Sequence, residues 1–259
     1  MKPTVKIASA RTPGGEEIVL YRHDTDWLIK INGVQLMHSR QHESELELAR
    51  LGCAHLSGRK APRILIGGLG MGFTLRETLN IVSPQSEVVV SELLAAVVTW
   101  NRELLGELNG NALNDPRVIV RQGDAVELIS RAERRFDAIL LDIDNGPGAV
   151  TVPGNSRMYG DGGIRACYRA LRDRGCLAVW SAAASKDFER LLMACGFHVR
   201  RYRAPAYKGS KSQTRFVWVA AADRTILPEG GGEPLQSQAA AAYWAERSSV
   251  HRGRTTTRR

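Results

Sequence analysis

Residues Ile64–Gly72 read I-L-I-G-G-L-G-M-G, a short apolar strand that runs straight into a glycine-rich turn. Glycine at Gly68, Gly70 and Gly72 lets the backbone reverse tightly and approach a ligand, because no Cβ intrudes and positive φ costs little. The stretch from Phe73 to about Asn80 has helical character, so its N-terminal N–H groups are expected to face whatever lies in the turn. Acidic residues then fall at the ends of later strand-like runs: Glu92, Asp124, Asp142 and Asp144. In an open parallel sheet, ligands sit outside those strand ends. The series points to a nucleoside.

The glycine spacing narrows which nucleoside. A dinucleotide fingerprint G-x-G-x-x-G starting at Gly68 needs glycine where Phe73 stands, so it fails. What remains is G-x-G-x-G followed by Glu92 at the end of the strand Glu87–Glu92. That is the arrangement of class I methyltransferase-like folds, in which the acid takes the two ribose hydroxyls. Alone, such a turn would be an ordinary strand-to-helix connection and such a glutamate a solvated residue. Their occurrence in order carries the reading.

From Ala61 the chain alternates strand and helix. Strand-like runs are Arg63 to Gly67, Glu87 to Glu92, Val118 to Arg121, Phe136 to Asp142 and Cys176 to Ser181, with helical stretches such as Leu93 to Leu105 and Lys186 to Cys195 between them. This predicts an α/β fold with a doubly wound, mostly parallel, seven-stranded, Rossmann-like sheet. Phe197 to Arg203 and Arg215 to Ala221 have no helix between them, so they should form an antiparallel edge hairpin. Ahead of the sheet, Glu17 to His23, Asp26 to Ile31 and Val34 to Met37 read as strands, with Asn32-Gly33 as a hairpin turn. Leu46, Ala49, Cys53 and Leu56 follow at helical spacing. The expected organisation is a β-hairpin unit over 1–60, a nucleoside-binding domain over 61–223 and a flexible basic tail over 224–259, with nothing after Leu227 needed for the core. The first unit suits a lid or an oligomer contact, and a homodimer is one expectation.

Composition removes several classes. With 43% hydrophobic and 24% charged residues, and no apolar run near the roughly 18 residues of a membrane helix, a soluble chain is expected. The first residues lack a secretory apolar segment, which makes the cytoplasm the default. Cys53, Cys167, Cys176 and Cys195 are scattered without metal spacing, and no glutamate follows His38 to make His38 and His42 a zinc motif, so no metal is expected. The net charge of +9 invites nucleic acid, but five arginines after Glu246 account for about half of it. No aromatic-interleaved basic stripe follows, and N-P-P-[YF] is absent. Nucleic acid is therefore not the expected partner.

The chain resembles the spermidine synthase family of aminopropyltransferases from about Glu17 to Ala221. The likeness rests on G-V-Q-L-M at Gly33–Met37, I-G-G-L-G-M-G at Ile66–Gly72, L-R-E at Leu75–Glu77, D-P-R-V at Asp115–Val118, G-D-A at Gly123–Ala125 and F-D-A-I-L-L-D at Phe136–Asp142. The resemblance implies that Gln35 contacts the cofactor's sugar or sulfur end, Glu92 the ribose hydroxyls, Asp124 the adenine amino group and Asp142 the reacting amine. Ionised carboxylates are pure acceptors and suit these tasks.

The chain departs from that pattern in three places. Family members read G-G-G-D-G-G in the first loop, and their aspartate faces the free amine of decarboxylated S-adenosylmethionine; Gly70 stands there instead. The family's D-S-S-D-P becomes Asp142-Ile143-Asp144-Asn145-Gly146-Pro147, and its Tyr-His-Glu acceptor triplet aligns with Ser44-Glu45-Leu46. Losing the loop acid removes a repulsion against the carboxylate of intact S-adenosylmethionine. The expectation that follows is methyl transfer from S-adenosylmethionine to a small cationic acceptor, an amine, with Asp142 and Asp144 as the catalytic pair. Aminopropyl transfer from the decarboxylated nucleoside is the alternative, and a nucleoside-binding protein without chemistry is a further one. Tyr159 and Trp180 are candidates to line an acceptor pocket, though each also suits packing.

Overall fold

The computed structural model describes residues 3–143, 146–147, 157–210 and 215–232. A four-stranded antiparallel sheet comes first, in the order β1-β2-β3-β4, built from β1 (Thr4–Arg11), β2 (Glu17–His23), β3 (Asp26–Ile31) and β4 (Val34–His38). Asn32 and Gly33 join β3 to β4 with φ of 47° and 81°, the two-residue hairpin geometry that Asn-Gly favours. Sequence patterning misses β1. None of its eight residues is fully buried, and a register shift between Lys6 and Ala8 breaks its short Val5–Ile7 alternation; the strand is held by its pairing with β2 and by Ala8 and Ala10 against the core.

The helix α1 (Glu43–Cys53) leads to the second sheet, with Leu46, Leu48, Ala49, Leu51 and Cys53 buried. That sheet contains β5 (Arg63–Gly67), β6 (Glu87–Glu92), β7 (Val118–Gln122), β8 (Phe136–Leu141), β9 (Leu171–Ser181), β10 (His198–Ala204) and β11 (Arg215–Ala221), in the order β10-β11-β9-β8-β5-β6-β7. The five strands β5 to β9 run parallel, and β11 pairs antiparallel with both β9 and β10. The fold is therefore the doubly wound, methyltransferase-like sheet with an antiparallel edge.

Helices α2 (Phe73–Ile81), α3 (Ala95–Glu103), α4 (Gly106–Asn109), α5 (Ala125–Ser130), α6 (Asp161–Ala170) and α7 (Lys186–Ala194) complete the described elements of that class. The central strands are apolar on both sides because both sides are covered. Ile64, Ile66, Val88, Val90 and Leu140 face the core beneath α1, α2 and α3, whereas Leu65, Val89, Ile139, Leu141 and Leu177 face the core shared with α5, α6 and α7. Burying each of these side chains contributes about 1.5–3 kcal/mol.

Past β11 the chain stays on the body. Ile226 and Leu227 are buried, and the Pro228 carbonyl accepts from Arg200 Nη1 and Tyr202 Oη, both at 2.6 Å. Gly232 bridges to Arg201 in β10. Residues 233–259, the larger part of the expected tail, lie outside the described residues, as do Asp144 and Asn145. Among the described residues no helix is long and apolar enough to cross a membrane.

Candidate functional site

Strands β5 and β8 are adjacent in the sheet but not in sequence, so the strand order reverses between them. A crevice forms at such a switch point. The carboxyl ends of β5, β6, β7, β8 and β9 open there onto a cavity of about 560 Å³. The four-stranded sheet supplies the facing wall through Ile18, Ile29, Ile31, Gln35 and Met37. Gln35 lies on β4 and is exposed to this space.

The glycine loop fits closely against the strand ends. Gly68 has φ of 90°, and a Cβ there would lie 2.3 Å from the Asp142 carbonyl oxygen. Gly72, the residue before α2, has φ of 82°, and a Cβ would meet Asn109 Nδ2 at 2.7 Å and Asn101 Oδ1 at 2.9 Å. Only glycine satisfies both the dihedral and the space at these two positions. Gly70 is less confined by backbone, since its Cβ would meet the flexible Met37 side chain.

The acids differ in how they are held. Glu92 is buried at the end of β6 and accepts from the backbone N–H of Leu69 and of Leu94, each at 2.8 Å, so one carboxylate ties the glycine loop to the start of the next segment. Burial raises its pKa, and those N–H donors offset part of the rise. Asp124 caps α5 by accepting from Val126 N at 2.8 Å, and its other oxygen pairs with Arg157 at 2.9 Å. Asp142 accepts from Thr74 Oγ1 at 2.7 Å; burial pushes it up to about 6, and the Thr74 bond opposes that.

A further acid, not among the sequence candidates, enters from α1. Glu45 is buried, accepts from Ser44 Oγ at 2.8 Å, and is pushed up to about 8 by burial and by the nearby Asp142 charge. Its signal was present in the sequence: Glu45, Ala49 and Cys53 share one helical stripe, and an acid on a buried stripe calls for explanation. Arg215 and Thr74 had no local signal.

Sheet order lays these groups out in a line. Asp124 stands at β7, Glu92 at β6, the glycine loop at β5, Asp142 at β8, Trp180 at β9 and Arg215 at β11. Because β11 runs antiparallel, its first residue reaches the same edge as the last residues of the parallel strands. The structure thus gathers Gln35, Gly68, Gly70, Glu92, Asp124 and Asp142 around one cavity, together with Trp180. Tyr159 is not on its lining: it is buried, donates to the Ile143 carbonyl at 2.6 Å and packs edge-on against Phe188.

Comparison with known proteins gives consistent results. The family model described as the spermine/spermidine synthase domain matches residues 49–185. A polyamine aminopropyltransferase of Korarchaeum cryptofilum is 26% identical over 185 residues, covering 70% of this chain and 55% of the relative. Polyamine aminopropyltransferase 1 of Pseudomonas aeruginosa is 29% identical over 168 residues, covering 61% of this chain and 55% of the relative. The chain thus spans about half the length of these curated relatives. The crystal structure of spermidine synthase from Thermotoga maritima is similar with a TM-score of 0.66 at 17% identity, covering 95% of this chain and 86% of that one, a likeness of fold.

These relatives overturn the expectation of methyl transfer. That expectation gave one missing acid, at Gly70, more weight than Glu92, Asp124 and Asp142, and did not count Glu16 or Glu45. Glu16, Glu45, Glu92, Asp124 and Asp142 line the cavity, against Arg215 as its arginine or lysine among the described residues. Glu92 and Asp142 still border the glycine loop, so the loss of the loop aspartate does not by itself admit the carboxylate of intact S-adenosylmethionine.

Proposed function

The chain belongs to the spermine/spermidine synthase family, and on that premise we propose that it transfers an aminopropyl group from decarboxylated S-adenosylmethionine to a small primary amine. The observation that carries this reading is the row of carboxylates, Asp124, Glu92 and Asp142, along adjacent strand ends beside a loop that only glycine can form at Gly68 and Gly72. A nucleoside fits such a cradle, because the strand ends supply acceptors for its hydroxyls and exocyclic amine while the glycines admit close approach.

When bound, the nucleoside supplies an electrophilic methylene next to a sulfonium. The protein's share is to bind, align and deprotonate the amine. Glu92 is the proposed acceptor for the ribose hydroxyls and Asp124 for the adenine amine, with Arg157 yielding the oxygen it now holds. Gln35 is proposed to bound the cofactor from the facing wall. Asp142, ionised for the most part at neutral pH and oriented by the Thr74 hydroxyl, is proposed to hold the acceptor ammonium and take its proton before attack. The apolar wall of Ile18, Ile29 and Met37 excludes water, which favours the aligned attack.

The test is formation of methylthioadenosine when the full chain meets decarboxylated S-adenosylmethionine and a panel of primary amines. Asp142→Asn is expected to lower turnover by about 10²–10⁴-fold while nucleoside affinity stays within a few-fold. Absence of product with every amine, from a folded protein that binds the nucleoside, would overturn the reading.

A further inference from the structure

Arg215 lines the cavity, and its side chain makes no hydrogen bond or ion pair with the described residues. Its guanidinium lies 6.0 Å from the centre of the Trp180 ring, on the neighbouring stretch of β9. Trp180 lines the same cavity, and its buried indole Nε1 has no hydrogen-bond partner among the described residues. A guanidinium without a hydrogen bond and an unsatisfied buried N–H therefore occur together, among the described residues, at one end of the site. A buried donor left unmade costs about 1–3 kcal/mol, so a pair of this kind calls for an acceptor.

The two groups stand at β9 and β11, on the far side of Asp142 from the glycine loop. In the row of strand ends the nucleoside's proposed partners occupy β7, β6 and β5, leaving β8, β9 and β11 for the second substrate. Glu45, above these strands on α1, is attracted by the Arg215 charge, but burial and the Asp142 charge outweigh that attraction and push its carboxyl up to about 8. With neighbouring strands about 4.8 Å apart, Asp142 and Arg215 sit at ends separated by roughly 10 Å. That span suits a short chain with an ammonium at one end and an anion at the other.

We propose that the second substrate is an ω-aminocarboxylate rather than a diamine, with its amine at Asp142 and its carboxylate at the Arg215–Trp180 pair. A planar carboxylate accepts a guanidinium in its two-pronged geometry and has a lone pair left for an indole N–H. A dianionic phosphate would bring a second charge toward Glu16 and Asp142, which favours the singly charged group. A diamine would instead place its distal ammonium against Arg215. This inference rests on the aminopropyl-transfer reading for the identity of the reaction, but binding tests it independently.

The experiment is calorimetric titration of the full chain, saturated with methylthioadenosine, with 4-aminobutanoate, 1,4-diaminobutane and butylamine. The expected result is at least tenfold tighter binding of 4-aminobutanoate than of either amine. Arg215→Gln should abolish that advantage, and Trp180→Phe should reduce it by a smaller factor. Tighter binding of the diamine, or an aminocarboxylate preference that survives Arg215→Gln, would overturn the proposal. So would Arg215-dependent binding of intact S-adenosylmethionine with no preference among the acceptors. Arg215-dependent aminocarboxylate binding without methylthioadenosine formation in the turnover assay would uphold this site while refuting the transferase reading.

Discussion

Glu45 is the residue whose position most changes how the site behaves with pH. Its folded pKa lies above the ordinary 4.5, at about 8, so its contribution to stability is fully present below 4.5 and is lost as pH rises through 8. Glu45→Gln removes that loss. The variant should match the parent near pH 4 and melt at a higher temperature above pH 8, a gain of roughly 2–4 kcal/mol, read by thermal denaturation across that range. Equal melting curves at pH 9 would show that Glu45 ionises without penalty. Glu92 and Asp124 belong to the same scale. Glu92→Ala and Asp124→Ala are each expected to weaken nucleoside binding by about 1.5–3 kcal/mol, the worth of a charge-assisted hydrogen bond, in calorimetry on folded protein. Asp124→Ala should also cost about 1 kcal/mol of stability, because Val126 loses its cap. Unchanged affinity in both variants would move the nucleoside elsewhere.

At the scale of elements, the loop between β5 and α2 and the end of β8 act as one unit. The Gly68 N–H donates to the Ser91 carbonyl and the Asp142 N–H donates to the Gly67 carbonyl, so the loop is tied to both neighbouring strands. Gly68→Ala places a methyl 2.3 Å from the Asp142 carbonyl at a φ that L-residues resist. It is expected to cost about 1–3 kcal/mol and to lower nucleoside affinity and turnover together, since the loop and Asp142 must part. A variant that melts like the parent and binds normally would show that the loop relaxes freely. The loop, β5, β6 and β11 were legible residue for residue, because apolar runs bounded by glycine or charge mark them. The strand β1 was not, since an edge strand with no fully buried residue and a break in register leaves no sustained periodic signature.

For the whole molecule, the described chain past β11 is held to β10 as far as Gly232. Removal of 233–259 is expected to leave the melting temperature and nucleoside affinity unchanged, while weak polyanion binding declines with a shallower salt dependence. Ending the chain at Leu227 instead removes the Pro228 carbonyl that serves Arg200 and Tyr202, and should lower the melting temperature by several degrees. Equal melting of the two truncations would show that this clasp on β10 contributes nothing.

The sequence by itself determined the fold class and the antiparallel edge, because those follow from apolar periodicity, and it predicted a nucleoside site from glycines and acids at fixed local offsets. It also placed Gly68, Gly70, Glu92, Asp124 and Asp142 at strand ends, where the sheet gathers them. It misjudged the transferred group by weighing one loop position. Glu45 on α1 and Arg215 on β11 lie 170 residues apart and share the cavity with Asp142 only through strand order and the reversal of β11. Charge in a buried space is a sum over every element that borders it, and which elements border it is decided by tertiary structure alone.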